Sequence, residues 1–290
     1  MDTFTHDGLT FDVTDRGPAD GPVVVLLHGF PQDRTAWDEV TPLLNAAGLR
    51  TLAPDQRGYS PGATPDGRSS YTLEKLLGDT VALIDASGAQ RVHLVGHDWG
   101  GAVAWAMAGR HADRLESLTV CSTPHPKAMA WAFRHGDQAR KSLYMLGFQV
   151  PWLAERLTHK RLFGIYRALG MPKERAAAYV ARFPTPQSLT GPLGWYRAMP
   201  ASRSMRQSML PGRKKKSSSS APRPDRRIAV PTTFVWGARD AALGRAAAEK
   251  TAEYVSADYR FVEVDENHWV PELQPQVVAD AVLARAGSAS

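Results

Sequence analysis

The chain has 290 residues, of which 43% are hydrophobic, a composition typical of a globular protein built as one large domain or as one domain with an insertion. It contains no run of about 18 consecutive apolar residues, so we expect no transmembrane helix. The first residues lack both a basic start and an apolar stretch, and Cys121 is the single cysteine. We therefore expect no signal peptide, no internal disulfide and a reducing, cytoplasmic setting.

The formal net charge of +6 is concentrated in one segment, residues 213–227. Seven Lys and Arg residues stand there against one Asp, so the rest of the chain is formally neutral. The segment also holds four consecutive serines and two prolines, which is typical of a solvated, flexible loop. Charge confined to such a loop argues against a nucleic-acid partner, although it leaves a basic patch for other anionic partners open.

Strand and helix patterns alternate along both ends of the chain. The apolar run at residues 23–27 predicts a strand that is buried on both of its faces. Further strands are predicted at 50–53, 91–95, 115–121, 231–237 and 259–264, with helices at 71–87 and 102–110. This alternation predicts an α/β fold with a mostly parallel sheet flanked by helices.

The pattern changes between residues 125 and 227. This part is rich in Trp, Tyr, Met, Arg and Pro, has helical periodicity and contains no convincing strand. We interpret it as a helical cap, with the basic Ser-rich loop at 213–227, inserted into a core formed by residues 1–124 and 228–290. Cap and sheet would enclose a ligand pocket above the carboxyl ends of the strands.

The most informative motif is Gly96-His97-Asp98-Trp99-Gly100-Gly101, which lies between a predicted strand and a predicted helix. This is the context of a nucleophile elbow, with aspartate where many hydrolases carry serine. A serine that attacked a saturated carbon would form an ether, whereas a carboxylate forms an ester that activated water can cleave. Asp98 therefore predicts displacement at an sp3 carbon, such as that of an epoxide or an alkyl halide.

A nucleophile of this kind also needs a base, an acid that orients the base, and oxyanion donors. Asp240 and His268 each follow a predicted strand, in the order nucleophile, acid, histidine. Asp240 taken alone would be explained by a helix N-cap, but its place between Asp98 and His268 favours the catalytic role. We expect His268 to take a proton from water, and the backbone N–H groups of Phe30 and Trp99 to bind the ester oxygen.

These motifs, together with Gly29-Phe30-Pro31, resemble those of epoxide hydrolases of the α/β-hydrolase fold over nearly the whole chain. In the cap, residues 144–149 and 191–197 are similar to the segments that bear the family's two ring-opening tyrosines. The resemblance implies that Tyr144 and Tyr196 donate hydrogen bonds to the epoxide oxygen and stabilise the developing alkoxide. A phenol suits this role because its reference pKa of about 10 leaves it protonated at neutral pH.

The sequence also limits the ligands. Trp99, Trp195 and Trp269 each adjoin a proposed catalytic residue. They are equally well explained as ordinary packing or as an apolar wall that favours a lipophilic epoxide. The sequence shows no ligand-spaced Cys and His cluster and no phosphate-binding glycine loop, so we expect no metal and no organic cofactor. The oligomeric state is left open.

Two other functions stay open at this point. A haloalkane dehalogenase shares the nucleophile, the base and the fold, but its departing halide needs N–H donors. The tyrosine pair favours the epoxide, as does Phe30, where one dehalogenase group has a halide-binding asparagine. Fluoroacetate dehalogenases have arginines just after the nucleophile, where this chain has Trp99 and Ala102. A non-catalytic ligand-binding protein on the same scaffold is disfavoured by the complete set of catalytic residues.

Overall fold

A twisted β-sheet runs through the centre of the protein in a computed structural model that describes residues 1–199 and 227–287. The strands in the described residues are β1 (Thr3–His6), β2 (Leu9–Arg16), β3 (Val23–Leu27), β4 (Arg50–Pro54), β5 (Val92–His97), β6 (Leu115–Cys121), β7 (Thr232–Gly237) and β8 (Tyr259–Val264). They lie in the order β1-β2-β4-β3-β5-β6-β7-β8. The pairs β1–β2 and β2–β4 are antiparallel, and all the other neighbouring pairs are parallel. The predicted fold class, α/β with a mostly parallel sheet, is confirmed.

Helices flank this sheet and fill the region between β6 and β7. The α-helices in the described residues are α1 (Val40–Ala46), α2 (Leu73–Ser87), α3 (Trp99–Arg110), α4 (Pro126–His135), α5 (Gln138–Lys141), α6 (Tyr144–Gly147), α7 (Leu153–Ala168), α8 (Lys173–Ala181), α9 (Thr190–Ala198), α10 (Arg245–Lys250), α11 (Val270–Leu273) and α12 (Pro275–Ala286). Helices α4 to α9 occupy the part that we interpret as a cap. Residues 125–199 are free of strands, as predicted. Apart from Arg227, the predicted basic loop lies outside the described residues.

The buried strand β3 shows how the sequence pattern produces the layered core. Alternate side chains of a strand point to opposite faces of a sheet, and every residue of β3 is buried. Val25 and Leu27 belong to one apolar cluster, whereas Val24 and Leu26 belong to another on the opposite face. The continuous apolar run at residues 23–27 therefore reflects a strand covered on both sides, as we predicted.

The structure differs from the sequence prediction at several boundaries. The first two strands, β1 and β2, were not predicted, although β2 buries alternate residues, Phe11 and Val13. The second helix was predicted from residue 71 and begins at Leu73, because a short 3-10 turn precedes it. The third helix begins at Trp99, three residues before its predicted start, since Asp98 is its N-cap residue. Among the described residues, no helix combines the length and apolar character that a membrane crossing requires.

Candidate active site

The site is built around a sharp turn between β5 and α3. Asp98 occupies this turn with φ +49° and ψ −117°, a backbone conformation that non-glycine residues rarely adopt. The turn passes so close to the sheet that a Cβ atom on Gly100 would lie 2.1 Å from the carbonyl oxygen of Leu27. A Cβ atom on Gly96 would lie 2.4 Å from the carbonyl oxygen of Gly100. Glycine at both positions is what lets the chain present Asp98 beyond the end of β5.

The Asp98 carboxylate has a different partner on each oxygen. Its Oδ1 accepts a hydrogen bond of 2.7 Å from the backbone N–H of Phe30. Its Oδ2 lies 3.5 Å from Nε2 of His268. The loop that carries Phe30 packs directly on the nucleophile, because a Cβ atom on Gly29 would lie 2.3 Å from Cβ of Asp98. The Phe30–Pro31 peptide bond in this loop is cis.

His268 and Asp240 complete a linear arrangement with Asp98. Nδ1 of His268 donates to Oδ2 of Asp240 over 2.8 Å, which leaves Nε2 facing Asp98. The other carboxylate oxygen of Asp240 accepts hydrogen bonds from the backbone N–H groups of Ala242 and Leu243. The side chains of Asp240 and His268 are 0% and 3% exposed, whereas that of Asp98 is 19% exposed. Asp98 is therefore the member of the three that a substrate can reach.

The two carboxylates control the charge of His268. Burial opposes the charged imidazolium, but the neighbouring carboxylates of Asp240 and Asp98 outweigh it and raise the pKa of His268 to about 10. Burial opposes ionisation of Asp98 as well, yet the hydrogen bond and positive charge of His268 keep the pKa of Asp98 below its ordinary value. At neutral pH the resting site therefore holds an ionised nucleophile beside an imidazolium.

Removing the charge of the nucleophile should lower the pKa of His268. We expect Asp98→Asn to shift the His268 titration downward from about 10, because one of the two carboxylates that stabilise the imidazolium is lost. Histidine NMR signals followed against pH measure this shift, with Asp15→Asn, a carboxylate at the far end of β2, as the control. An unchanged His268 titration in Asp98→Asn would show that the two side chains are not electrostatically coupled.

Sequence reasoning did not predict the polar groups that hold the backbone of the base. The carbonyl oxygen of His268 accepts from the hydroxyl of Ser122 over 2.7 Å and from Nε2 of His97 over 2.8 Å. Nδ1 of His97 in turn contacts Gln32, and Gln32 donates to Glu272 of α11. Burial lowers the pKa of His97 to about 4, so this ring is neutral at pH 7. The sequence signal that could have indicated this network is a polar residue at the end of an apolar strand, since His97 ends β5 and Ser122 directly follows β6.

The two tyrosines singled out in the sequence lie together above Asp98. Tyr144 is the first residue of α6, Tyr196 lies on α9, and their ring centres are 6.3 Å apart. The Tyr196 ring contacts the rings of Trp99 and Phe30 at 4.9 and 5.1 Å. Burial and the negative charge of Asp98 raise the pKa of both phenols. Both hydroxyl groups therefore stay protonated and available as hydrogen-bond donors.

Contacts within the cap fix the position of Tyr196. Gln149 donates to the carbonyl oxygen of Tyr196 over 2.9 Å. The next residue, Arg197, forms a two-point ion pair with Glu155 at 2.7 and 2.9 Å and donates to the carbonyl oxygen of Phe148. An arginine fork on a carboxylate restricts orientation as well as distance. The ion pair therefore ties α9 to α7 at the point where Tyr196 reaches the nucleophile.

The three tryptophans have different surroundings. Trp99 packs edge-to-face between Trp195 and Tyr196, next to the nucleophile. Trp195 is buried, and its indole N–H donates to the carbonyl oxygen of Arg57. Trp269 is also buried and packs against the ring of the base. Trp195 and Trp269 thus have clear packing roles, and Trp99 is the one that borders Asp98.

No metal site is recognisable in the part of the chain that the structure describes, since it contains no group of three or more His, Cys, Asp or Glu residues that could hold an ion. The two catalytic carboxylates, Asp98 and Asp240, lie on opposite sides of the His268 ring. The groups present can act as nucleophile, base and hydrogen-bond donors.

Comparisons with known proteins identify the family. The family model of the α/β hydrolase fold matches residues 22–275. The AB hydrolase superfamily protein YfhM of Bacillus subtilis is 31% identical, over 96% of this chain and 94% of that protein. Epoxide hydrolase A of Mycobacterium tuberculosis is 30% identical, also over 96% of this chain and 94% of that protein.

The solved structures give the same result. A TM-score of 0.81 relates this chain to a solved structure from metagenomes of hot environments, described as one of the novel epoxide hydrolases belonging to the alpha/beta hydrolases superfamily. It is 29% identical, with 98% of this chain and 97% of that chain covered. The chain belongs to the α/β-hydrolase fold family and, within it, to the epoxide hydrolases. The resemblance stated from the sequence is confirmed.

Proposed function

We propose that the protein converts an epoxide and water to a vicinal diol through a covalent ester on Asp98. The observation that carries the proposal is the pair of protonated phenols, Tyr144 and Tyr196, near a partly exposed carboxylate nucleophile. The oxygen of an epoxide stays attached to the product and is a poor leaving group, so its departure from carbon needs an acid. Relatives that are named epoxide hydrolases support the same reaction.

In the first step, Oδ2 of Asp98 attacks an epoxide carbon and the carbon–oxygen bond of the ring breaks. The electron pair of that bond goes to the epoxide oxygen, which takes a proton from the tyrosine pair. We assign the attack to Oδ2 because Oδ1 is held by the N–H of Phe30. Oδ1 then becomes the carbonyl oxygen of the ester, and Phe30 N–H is already directed at it.

In the second step, water attacks the ester carbonyl carbon and gives a proton to Nε2 of His268. Esterification has by then removed the charge of Asp98, so one of the two causes of the raised pKa of His268 is gone. The imidazolium passes its resting proton to the tyrosinate left by the first step, which restores the phenol and makes the ring a base. The N–H groups of Phe30 and Trp99 stabilise the tetrahedral oxyanion. Its collapse breaks the bond between the carbonyl carbon and Oδ2, which leaves as the second hydroxyl oxygen of the diol. One water proton ends on this hydroxyl and the other restores the imidazolium of His268, while the oxygen of the water stays in the Asp98 carboxylate.

The substrate we propose is a small, lipophilic epoxide. The rings of Phe30, Trp99, Phe148 and Tyr196 contact one another around the nucleophile, which leaves an apolar surface for the substrate. Faster turnover of aryl-substituted epoxides than of small polar ones would support this.

The predicted cytoplasmic setting and the division of the chain into core and cap stay predictions.

The function is tested by incubating the purified protein separately with an aryl epoxide and a haloalkane. We expect diol from the epoxide and little halide from the haloalkane. Asp98→Asn is the control and should abolish diol formation. Halide release without diol would identify a haloalkane dehalogenase instead. Binding of the epoxide with no product of either kind would identify a non-catalytic ligand-binding protein.

A further inference from the structure

We propose that the exposed face of α7 is a docking surface for an anionic lipid bilayer. This surface, called the α7 face below, consists of Leu153, Leu157 and Phe163 with Arg156, Lys160 and Arg161. The proposal concerns binding to a membrane surface, not a span. The bound protein would take up an apolar epoxide from the lipid. This part of the proposal rests on the proposed function.

Exposed apolar side chains are concentrated at this surface. Among the described residues, nine large apolar or aromatic side chains are exposed, and eight of them lie within residues 143–163. The ninth, Phe261, is on the edge strand β8. Scattered exposed apolar residues are normal in a folded protein, but a concentration in one segment marks an interaction surface.

The arrangement along α7 separates a buried face from the α7 face. The buried residues recur every three or four positions, as Ala154, Glu155, Thr158, Leu162 and Tyr166. The opposite face alternates leucine and phenylalanine with arginine and lysine. The one acidic residue of α7, Glu155, is on the buried face, where it pairs with Arg197. None of the ion pairs between described residues involves Arg156, Lys160 or Arg161.

Charge on the whole molecule points the same way. Residues 125–199 hold twelve Lys and Arg against three Asp and Glu, a net charge of +9. Residues 1–124 and 228–290 together hold fourteen Lys and Arg against twenty-five Asp and Glu, a net charge of −11. Outside the basic loop, the chain therefore combines a positive region, residues 125–199, with a negative region, residues 1–124 and 228–290. A negatively charged surface would attract the positive region and orient the molecule with α7 toward it.

Trp152 adds a feature typical of membrane interfaces. Its side chain is 61% exposed, and the guanidinium of Arg156 lies 4.3 Å from its ring centre. Its φ of +67° lies in the left-handed region, a strained conformation for a tryptophan that places the indole at the start of α7. Tryptophan is enriched where a membrane meets water, and basic helices with apolar side chains lie in that plane.

A lipid bilayer fits the α7 face better than other occupants. Leucine and phenylalanine gain little against the phosphates of a nucleic acid, whereas they lose water on entering lipid. Residues 200–226 of the same chain hold eight Lys and Arg against one Asp, so their charge has the same sign as the α7 face. Tyr144 of the site belongs to the same exposed segment, residues 143–163, and is itself 44% exposed.

The test is co-sedimentation of the full chain with phosphatidylcholine vesicles that contain phosphatidylglycerol and with vesicles of phosphatidylcholine alone. We expect binding to the anionic vesicles that weakens as salt is added. Each basic residue near an anionic surface contributes about a fivefold change in binding. The double variant Lys160→Glu, Arg161→Glu should therefore bind at least about 25-fold more weakly than the parent chain. Leu157→Gln should also weaken binding, through loss of apolar contact.

The matched controls are Arg260→Glu and Phe261→Gln, exposed residues of the edge strand β8 outside the α7 face, which should bind like the parent chain. Circular dichroism confirms folding of each variant. No binding to anionic vesicles would overturn the proposal, as would equal binding by the α7 variants and the parent. A dimer that the α7 variants disrupt, without vesicle binding, would assign the α7 face to a second copy. Sedimentation does not require catalysis, so it fails or succeeds independently of the proposed function.

Discussion

His268→Gln is expected to accumulate the covalent ester on Asp98. Glutamine cannot take a proton from water, so the second step stops while the attack by Asp98 on the epoxide continues. Diol formation should fall by about a thousandfold or more. Mass spectrometry of the intact variant after incubation with an aryl epoxide should show a mass increase equal to the substrate, located by peptide mapping at Asp98.

Two variants give this experiment its controls. Asp98→Asn combined with His268→Gln should show no mass increase, because the attacking oxygen is gone. His93→Gln replaces a buried histidine of β5 that bonds Ser117 outside the site, and it should turn over without accumulating an adduct. Steady diol formation by His268→Gln, or an adduct on another residue, would contradict the proposed mechanism.

Removal of the phenol hydroxyls should slow the attack itself. Tyr196→Phe and Tyr144→Phe keep the ring contacts but remove the donors that stabilise the developing alkoxide. A hydrogen bond to a charged group contributes about 1.5–3 kcal/mol, so each variant should form the ester about 10- to 100-fold more slowly, and the double variant should be slower than either. Single-turnover formation of the mass adduct in the His268→Gln background measures this step alone.

The control for the tyrosines is Tyr254→Phe, a ring that stacks on His125 and lies outside the site. It should leave the rate of ester formation unchanged. Folding of the four proteins is compared by thermal unfolding. If the double variant forms the ester as fast as its parent, the phenols do not act on the epoxide oxygen. The haloalkane dehalogenase alternative would then be open again.

The sequence predicted well those features whose signals are local. The run at residues 23–27 predicted a two-sided strand because burial on both faces demands an unbroken apolar run. The strand β2 was missed because only one of its faces is buried, through Phe11 and Val13, and short alternation is a weak signal. The start of α3 was placed late because the glycines at 100 and 101, poor helix formers, are retained there for close packing.

The sequence by itself limited the chemistry of this protein to displacement at an sp3 carbon, because Asp98 stands at the nucleophile position of a strand–turn–helix motif. The order of Asp98, Asp240 and His268 and the two cap motifs named the residues, and the family followed from them. Tertiary structure decided what depends on distance and exposure: that Nε2 of His268 faces Asp98, and that Ser122 holds the backbone of the base. It also decided that α7 turns a basic and apolar face outward, since a helix's own periodicity does not tell which side its neighbours cover.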